Sequence, residues 1–494
     1  MRRVGAAQSE LLWDSAVPDD RVVGDNVSFP SRPAIPPVLS FSLGVWAGCA
    51  AALLWARSLS VVVCAVLCAG ALIGCVCRLW LLWRRRKHLL ALVFMVGLLG
   101  GSILGFAQGA QLHQAQQAAL GSQGLLHITA LSDGAQGDFG VSCTARVHAE
   151  GAGRSFTAKV ALPSEFDSPM YGQRFIGYGT VSELSDDRAS WAWQRGIVAN
   201  VKLRTCERVE LRGPGAMLLS FRERAVQALT EPLHGDMGLS AAIACGWRAD
   251  LPESVYRQFQ VSGLAHVVAV SGAHLSIVAA LMASMLGALR VPKPISVASQ
   301  IALLAAYLAL TAMPASAIRA TLMTLAGMTS WTARRRASSL SALGCCVAVM
   351  IALDAQAALS SSFALSVLAT LGIVVFGGLV NSWLKACFGW LPAFVREALA
   401  LTFASSVLAT PFSAALFSQL PLAAPVANIA IAPLFGPVCS AGIIRAVVCA
   451  MVPVPGIVAS ITCGSASLLL KVVQACASIP YASIPVIGPS SVAL

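Results

Sequence analysis

Long apolar runs dominate the chain, and one polar stretch interrupts them. The first three runs cover about 38–56, 60–83 and 89–107. From Gly121 to Arg212 the pattern shortens into alternation. In GVSCTARVHAE, Val141, Cys143, Ala145 and Val147 alternate with polar residues, the period of a half-buried strand. LLHITAL, SFTAKVAL, RFIGYGTV and NVKLRT read the same way, with Gly, Asp, Ser and Pro between them. Five short strands in this space predict a small β-barrel or sandwich. From Val261 onward the long runs return, over about 264–289, 295–312, 315–331, 338–353, 361–380, 398–420, 425–450 and 456–477. A helix of about 20 apolar residues spans a bilayer. The pattern therefore predicts a polytopic α-helical membrane protein of about 10–11 transmembrane helices with one inserted β domain. Pro411, Pro425, Pro433 and Pro437 interrupt the late runs, which predicts one or two re-entrant segments.

Five regions follow. Residues 1–37 are polar and rich in Pro, and predict a disordered cytoplasmic tail with no cleavable secretory signal. Residues 38–107 hold three spans, 121–212 the β domain, 213–260 an amphipathic connector and 261–494 the main helical domain. In the connector, 221–229 and 239–244 have helical apolar spacing and predict helices at the membrane surface.

Composition agrees with the pattern. Of 494 residues, 57% are apolar and 11% charged. Soluble domains carry about 25% charged residues, so a soluble core is excluded. The net charge of +12 matters mainly through its placement. Arg84-Arg85-Arg86-Lys87 and Arg334-Arg335-Arg336 lie beside apolar runs, and such clusters mark cytoplasmic loops. With residues 84–87 inside, the tail is also inside and the β domain is extracytoplasmic. That domain has ten Lys or Arg against ten Asp or Glu, so it is no evident electrostatic trap for nucleic acid. Thirteen of the fifteen cysteines lie in apolar or near-apolar segments. Cys143 and Cys206 are the two in the polar domain. They make a disulfide candidate in an oxidising compartment, with two buried thiols as the alternative.

The candidate chemistry gathers in SGLAHVVAVSGAHLSIVAALMASMLGAL, residues 262–289. It carries His266, His274 and two Ser-Gly pairs, Ser262-Gly263 and Ser271-Gly272. Ionisable groups at membrane depth are expensive and face a bundle interior or a wet path. The histidines lie eight residues apart, about 80° around a regular helix. They read as donors on a path, or as an interface residue and a helix–helix bond. The Ser-Gly pairs read as packing notches or as a helix opening that turns amides toward an anion. Arg319 reads as a cation on a path or as a snorkelling interface residue. Asn428, between Pro425 and Pro433, bridges a broken helix or lines a path. There is no phosphate loop of the G-x-x-x-x-G-K-[ST] type, no H-E-x-x-H and no G-x-S-x-G, so no enzyme activity, cofactor or metal is expected.

These residues resemble a known family. GLAHVVAVSGAHLSIVAAL resembles the signature of the ComEC family of competence proteins, matching at Gly263, His266, Ser271, Gly272 and His274. SAIRATLM resembles a Ser-x-x-Arg-Ala element at Ser316, Arg319 and Ala320. SSFALSVLA keeps Phe363, Leu365 and Ser366 of a further element, with Ser362 and Ala364 in place of its Gly and Gln. Pro411 to Pro433 resembles a Pro…Asn…Pro region that matches Asn428. The resemblance implies an OB-like barrel for the β domain and a channel for single-stranded DNA in natural transformation, sited in the cell membrane. It implies a path lined by His266, Ser271, Gly272, His274, Ser316, Arg319, Phe363, Ser366 and Asn428. It also implies a surface DNA receptor and a cytosolic ATPase as partners, with a homo-oligomer as a further expectation. Many members carry a metallo-β-lactamase-like domain that this sequence does not show, so a separate nuclease is expected. A small-solute or ion transporter on the same scaffold, or a non-functional competence relic, is the alternative.

Overall fold

In the computed structural model, the described residues are 35–57, 89–120, 123–137, 140–150, 155–163, 166–184, 186–230, 238–332, 338–451 and 456–486. The expected tail, the expected span at 60–83 and both basic clusters lie outside them. Seven described helices are long and apolar enough to cross a membrane: Pro37–Ala56, Leu90–Ala119, Lys293–Leu310, Ser361–Cys387, Ala393–Phe417, Ala424–Ala450 and Gly456–Ala477. Three more apolar helices are shorter, including Gly272–Ala288 and Ser339–Leu353. At 1.5 Å per residue, the 15 residues of Ser339–Leu353 reach only about 22 Å, short of a hydrocarbon core of about 30 Å. A 3-10 turn at Ala355–Leu359 follows, and Ser360 then caps the next helix by accepting the Phe363 N–H.

The described chain divides into two units, residues 1–108 with 322–417, and residues 109–321 with 418–494. In the first unit, Pro37–Ala56 meets the helix beginning at Leu89 along a seam of glycines. A Cβ on Gly44, Gly48, Gly97 or Gly101 would strike a backbone carbonyl of the facing helix. This is the close small-residue contact by which apolar helices associate where no hydrophobic force separates them from lipid. In the same unit, Ser361–Cys387 and Ala393–Phe417 form a helical hairpin in which Gly372 meets the Ala404 carbonyl.

The second unit contains the barrel. The five expected strands form as β1 (Gln123–Ala130), β3 (Gly140–Ala149), β4 (Phe156–Ala161), β5 (Arg174–Ser182) and β6 (Ala199–Val209). A short β2 (Ala135–Gly137) pairs only with β3. The order β1-β5-β6-β4-β3 closes because β3 returns to β1. One pair, β4 with β6, is parallel and the rest are antiparallel. This is a closed five-stranded barrel, and its connectivity is OB-like. Alternate residues such as Leu126, Ile128, Val147, Val160, Phe175 and Val201 fill it. The sharp coiling of β5 against β6 uses Gly177 and Gly179. A Cβ on Gly177 would meet the Thr205 carbonyl, and the register shifts at Tyr178/Gly179.

Three expectations change. Cys143 and Cys206 are both free thiols. Cys143 is buried on β3, whose neighbours are β1, β2 and β4, whereas Cys206 on β6 faces Gly177 of β5. The two strands share no ladder, so the disulfide candidate is not formed. Leu239–Cys245 is a core helix with every residue buried. It is apolar on every face but for Ser240, which suits a bundle interior better than a surface. The helix of the third run extends from Leu89 to Ala119, past the expected end at 107. A further helix, Asp186–Gln194, was not anticipated within the β domain.

Candidate functional site

The signature stretch is not one span. It begins at the end of the amphipathic helix Glu253–Val261. There Gly263 adopts φ +75°, and Leu264 N–H returns to the Phe259 carbonyl at 2.7 Å, a Schellman-type stop. A Cβ on Gly263 would lie 2.6 Å from the Ala424 Cβ, so only glycine fits both the backbone and the neighbour. One short turn, Ala265–Val268, follows, and Ala269 to Ser271 are then extended. The long helix Gly272–Ala288 starts afresh.

Ser271 and His274 make that restart. Ser271 N–H donates to His274 Nδ1 at 3.1 Å, and Ser271 Oγ lies 3.0 Å from the same nitrogen. This is a capping-box pairing with histidine in the place usually held by Glu or Gln. To accept that N–H, His274 Nδ1 carries no proton. Its Nε2 is buried and makes no hydrogen bond among the described residues, and its ring meets Phe435 edge-on at 5.0 Å. His266, on the short turn, is exposed.

Two other helices close around the break. From Ala315–Thr332, Ser316 Oγ donates to the Val270 carbonyl at 2.6 Å. A Cβ on Gly272 would lie 3.3 Å from the Ala320 Cβ, so Ser-Gly serves close packing here. Arg319, beside Ala320, is buried. From Ala424–Met451, Ala424 meets Gly263 and Phe435 meets His274, with half-buried Asn428 between them in sequence. The fold thus pairs Ser271 with His274, sets Gly272 against Ala320 and Ser316 on the Val270 carbonyl, and puts Arg319 and Asn428 on the same two flanking helices. Phe363 and Ser366 belong to the other unit. Phe363 is fully buried against Trp46, ring centroids 5.5 Å apart, and fills a core rather than a path.

A family model described as Competence protein matches residues 243–494. The chain belongs to the competence protein family. The match takes in every element around the break and leaves the barrel outside it. Neither a curated protein nor a solved structure matches the chain. As a competence protein with seven apolar helices of spanning length among the described residues, it is a membrane protein. No group of three or more His, Cys, Asp or Glu able to hold a metal occurs among the described residues.

Two buried cations of this competence protein escaped the sequence reading. Arg445 is 2% exposed, and its Nη2 donates to the Ala228 carbonyl at 2.5 Å. Arg222 is equally buried and grips Asp133 with both Nη groups, at 2.6 and 2.7 Å. A signal for Arg222 was available. Arg222, Ala225, Val226 and Leu229 are the buried positions of Pro214–Thr230, with the i, i+3, i+4, i+7 spacing of an inward stripe. A charge on an apolar stripe is a buried charge.

Proposed function

We propose that this competence protein passes single-stranded DNA across the cytoplasmic membrane during natural transformation. The observation that carries the reading is the extended segment Ala269–Ser271, inside an apolar sequence and between two flanking helices. Non-helical backbone at membrane depth is tolerated where it is enclosed by protein or lines a wet cavity. A DNA strand is a polyanion, and its route must supply donors at many weak sites without trapping phosphates. Ser271, Gly272, Ser316, Arg319 and Asn428 are the groups for such a route, with His266 exposed beside it. His274 acts by holding the helix start.

The charge pattern supports a cytoplasmic N-terminus and an extracytoplasmic barrel. The chain acts as a conduit rather than an enzyme, with a surface receptor delivering DNA and a cytosolic ATPase pulling it. A separate nuclease removes the other strand, and a homo-oligomer is compatible with this scheme.

Uptake of labelled DNA by intact cells, scored as DNase-resistant label, tests the reading. Deletion abolishes internalisation and leaves surface binding. Arg319→Ala, at unchanged membrane level, lowers uptake at least about tenfold, the weight of one desolvated charge contact. Unchanged uptake after deletion in a competent host ends the DNA reading and favours a small-solute transporter.

A further inference from the structure

We propose that Arg222 is a positioning residue that ties the barrel to the break in the signature segment. The inference rests on the route proposed above, and its two anchors, Arg222 and Asp133, lie outside that route. Asp133 lies just after β1, in the link to β2. Besides the two bonds from Arg222, it accepts the Tyr171 N–H at 2.9 Å. The third donor of the guanidinium, Nε, reaches the Leu310 carbonyl at 2.6 Å, the last residue of Lys293–Leu310. One buried cation therefore closes a helix C-terminus and grips a barrel carboxylate at once.

The chain immediately beyond Leu310 is strained. Ala312 and Met313 both have positive φ, +62° and +53°, and neither is glycine. Such a conformation is unfavourable for a residue with a side chain, and persists where the surroundings over-determine it. The surroundings here are the Arg222 bond before the turn and the barrel's Tyr171 hydroxyl, 3.6 Å from Met313 Sδ. Gln173 Nε2 adds a bond to Glu223 at 2.6 Å, so barrel and connector meet through two residue pairs. After the turn, Pro314 starts Ala315–Thr332, and two residues later Ser316 holds the Val270 carbonyl. Gly246, with φ +71°, sits where a Cβ would touch both Val270 and Thr311. From Asp133 to Val270, each step is a bond or a short piece of constrained backbone.

Arginine is specific to this role. A lysine keeps the charge and the stem but lacks the planar fork that meets a carboxylate and a carbonyl together.

Hydrogen exchange on the purified full chain in lipid nanodiscs, without DNA, tests the proposal by a double-mutant cycle. Asp133→Asn and Ser316→Ala each speed exchange over residues 269–274 about tenfold, the weight of one charge-assisted or buried bond in local opening. The double variant exchanges no faster there than Ser316→Ala alone, because both act through one chain of contacts. Strands β3 and β4 and the helix Ser361–Cys387 keep wild-type protection. Arg222→Lys replaces Asp133→Asn in the cycle if that variant is not recovered, and gives the same result. Wild-type exchange at 269–274 in Asp133→Asn overturns the proposal, as do multiplying effects in the double variant. If the coupling is seen but deletion leaves DNA uptake intact, the positioning role stands and the transport reading falls.

Discussion

At the scale of single residues, His274 changes meaning once its surroundings are known. A histidine in an apolar run invites a reading as a proton or phosphate donor. Here its Nδ1 is occupied by the Ser271 N–H and its ring is buried against Phe435. Its task is to start a helix directly after an extended segment. Glutamine at the third helical position does the same by accepting the same N–H. His274→Gln therefore keeps thermal stability and most DNA uptake. His274→Ala loses about 1–2 kcal/mol, the usual worth of a cap, and uptake falls with it. Equal thermal midpoints and equal uptake for His274→Ala and wild type would remove the capping role. Sequence spacing identified the position but not the task, because on an unbroken helix both histidines share a side, and the break separates them. Arg222 was legible in principle from its apolar stripe. Its partner Asp133 was not, since it lies 89 residues away and nothing local pairs them.

Whole elements were the most readable scale. The five strands follow from alternation alone, since a period of two puts one face in the barrel. Their closure does not follow, because it depends on β3 returning to β1 and on a parallel pair between β4 and β6. The same limit hid the disulfide outcome, as loop length says nothing about which strands become neighbours. Helix pairing is likewise set by detail. Within the Leu89–Ala119 helix, Gly101 abuts the Val45 backbone, whereas a Cβ on its neighbour Gly100 would meet nothing within 4 Å. The two glycines have the same helix propensity and opposite surroundings. Gly101→Val forces the helices apart and destabilises the protein by about 1–3 kcal/mol, the range for overpacking. Gly100→Val leaves the thermal midpoint close to wild type in the same membrane preparation. Matching losses from both substitutions would mean that the seam is not a close contact.

For the whole molecule, the two cysteines of the barrel report the side of the membrane that it faces. Burial, with the charge of Asp133, pushes the Cys143 thiol up to about 12. Cys206 is only half-buried, and burial raises its thiol while Arg208 draws it back down. Cys143 therefore stays protonated and unreactive near neutral pH, and Cys206 is the thiol that a reagent meets. The raised thiol also signs a pH dependence. The folded barrel holds the Cys143 proton more tightly than the unfolded chain, so this contribution is full below about pH 9 and fades as pH climbs toward 12. In a variant that keeps only Cys143 and Cys206, a membrane-impermeant maleimide at pH 7.5 labels Cys206 in intact cells without reductant. Labelling only after lysis would put the barrel in the cytoplasm and reverse the proposed direction of the path. Labelling only after reduction would mean that the cell brings together two thiols that the fold holds on unpaired strands. Labelling without either treatment leaves a reduced barrel outside the membrane, where Asp133 and Arg222 can carry its position to the break at Ala269–Ser271.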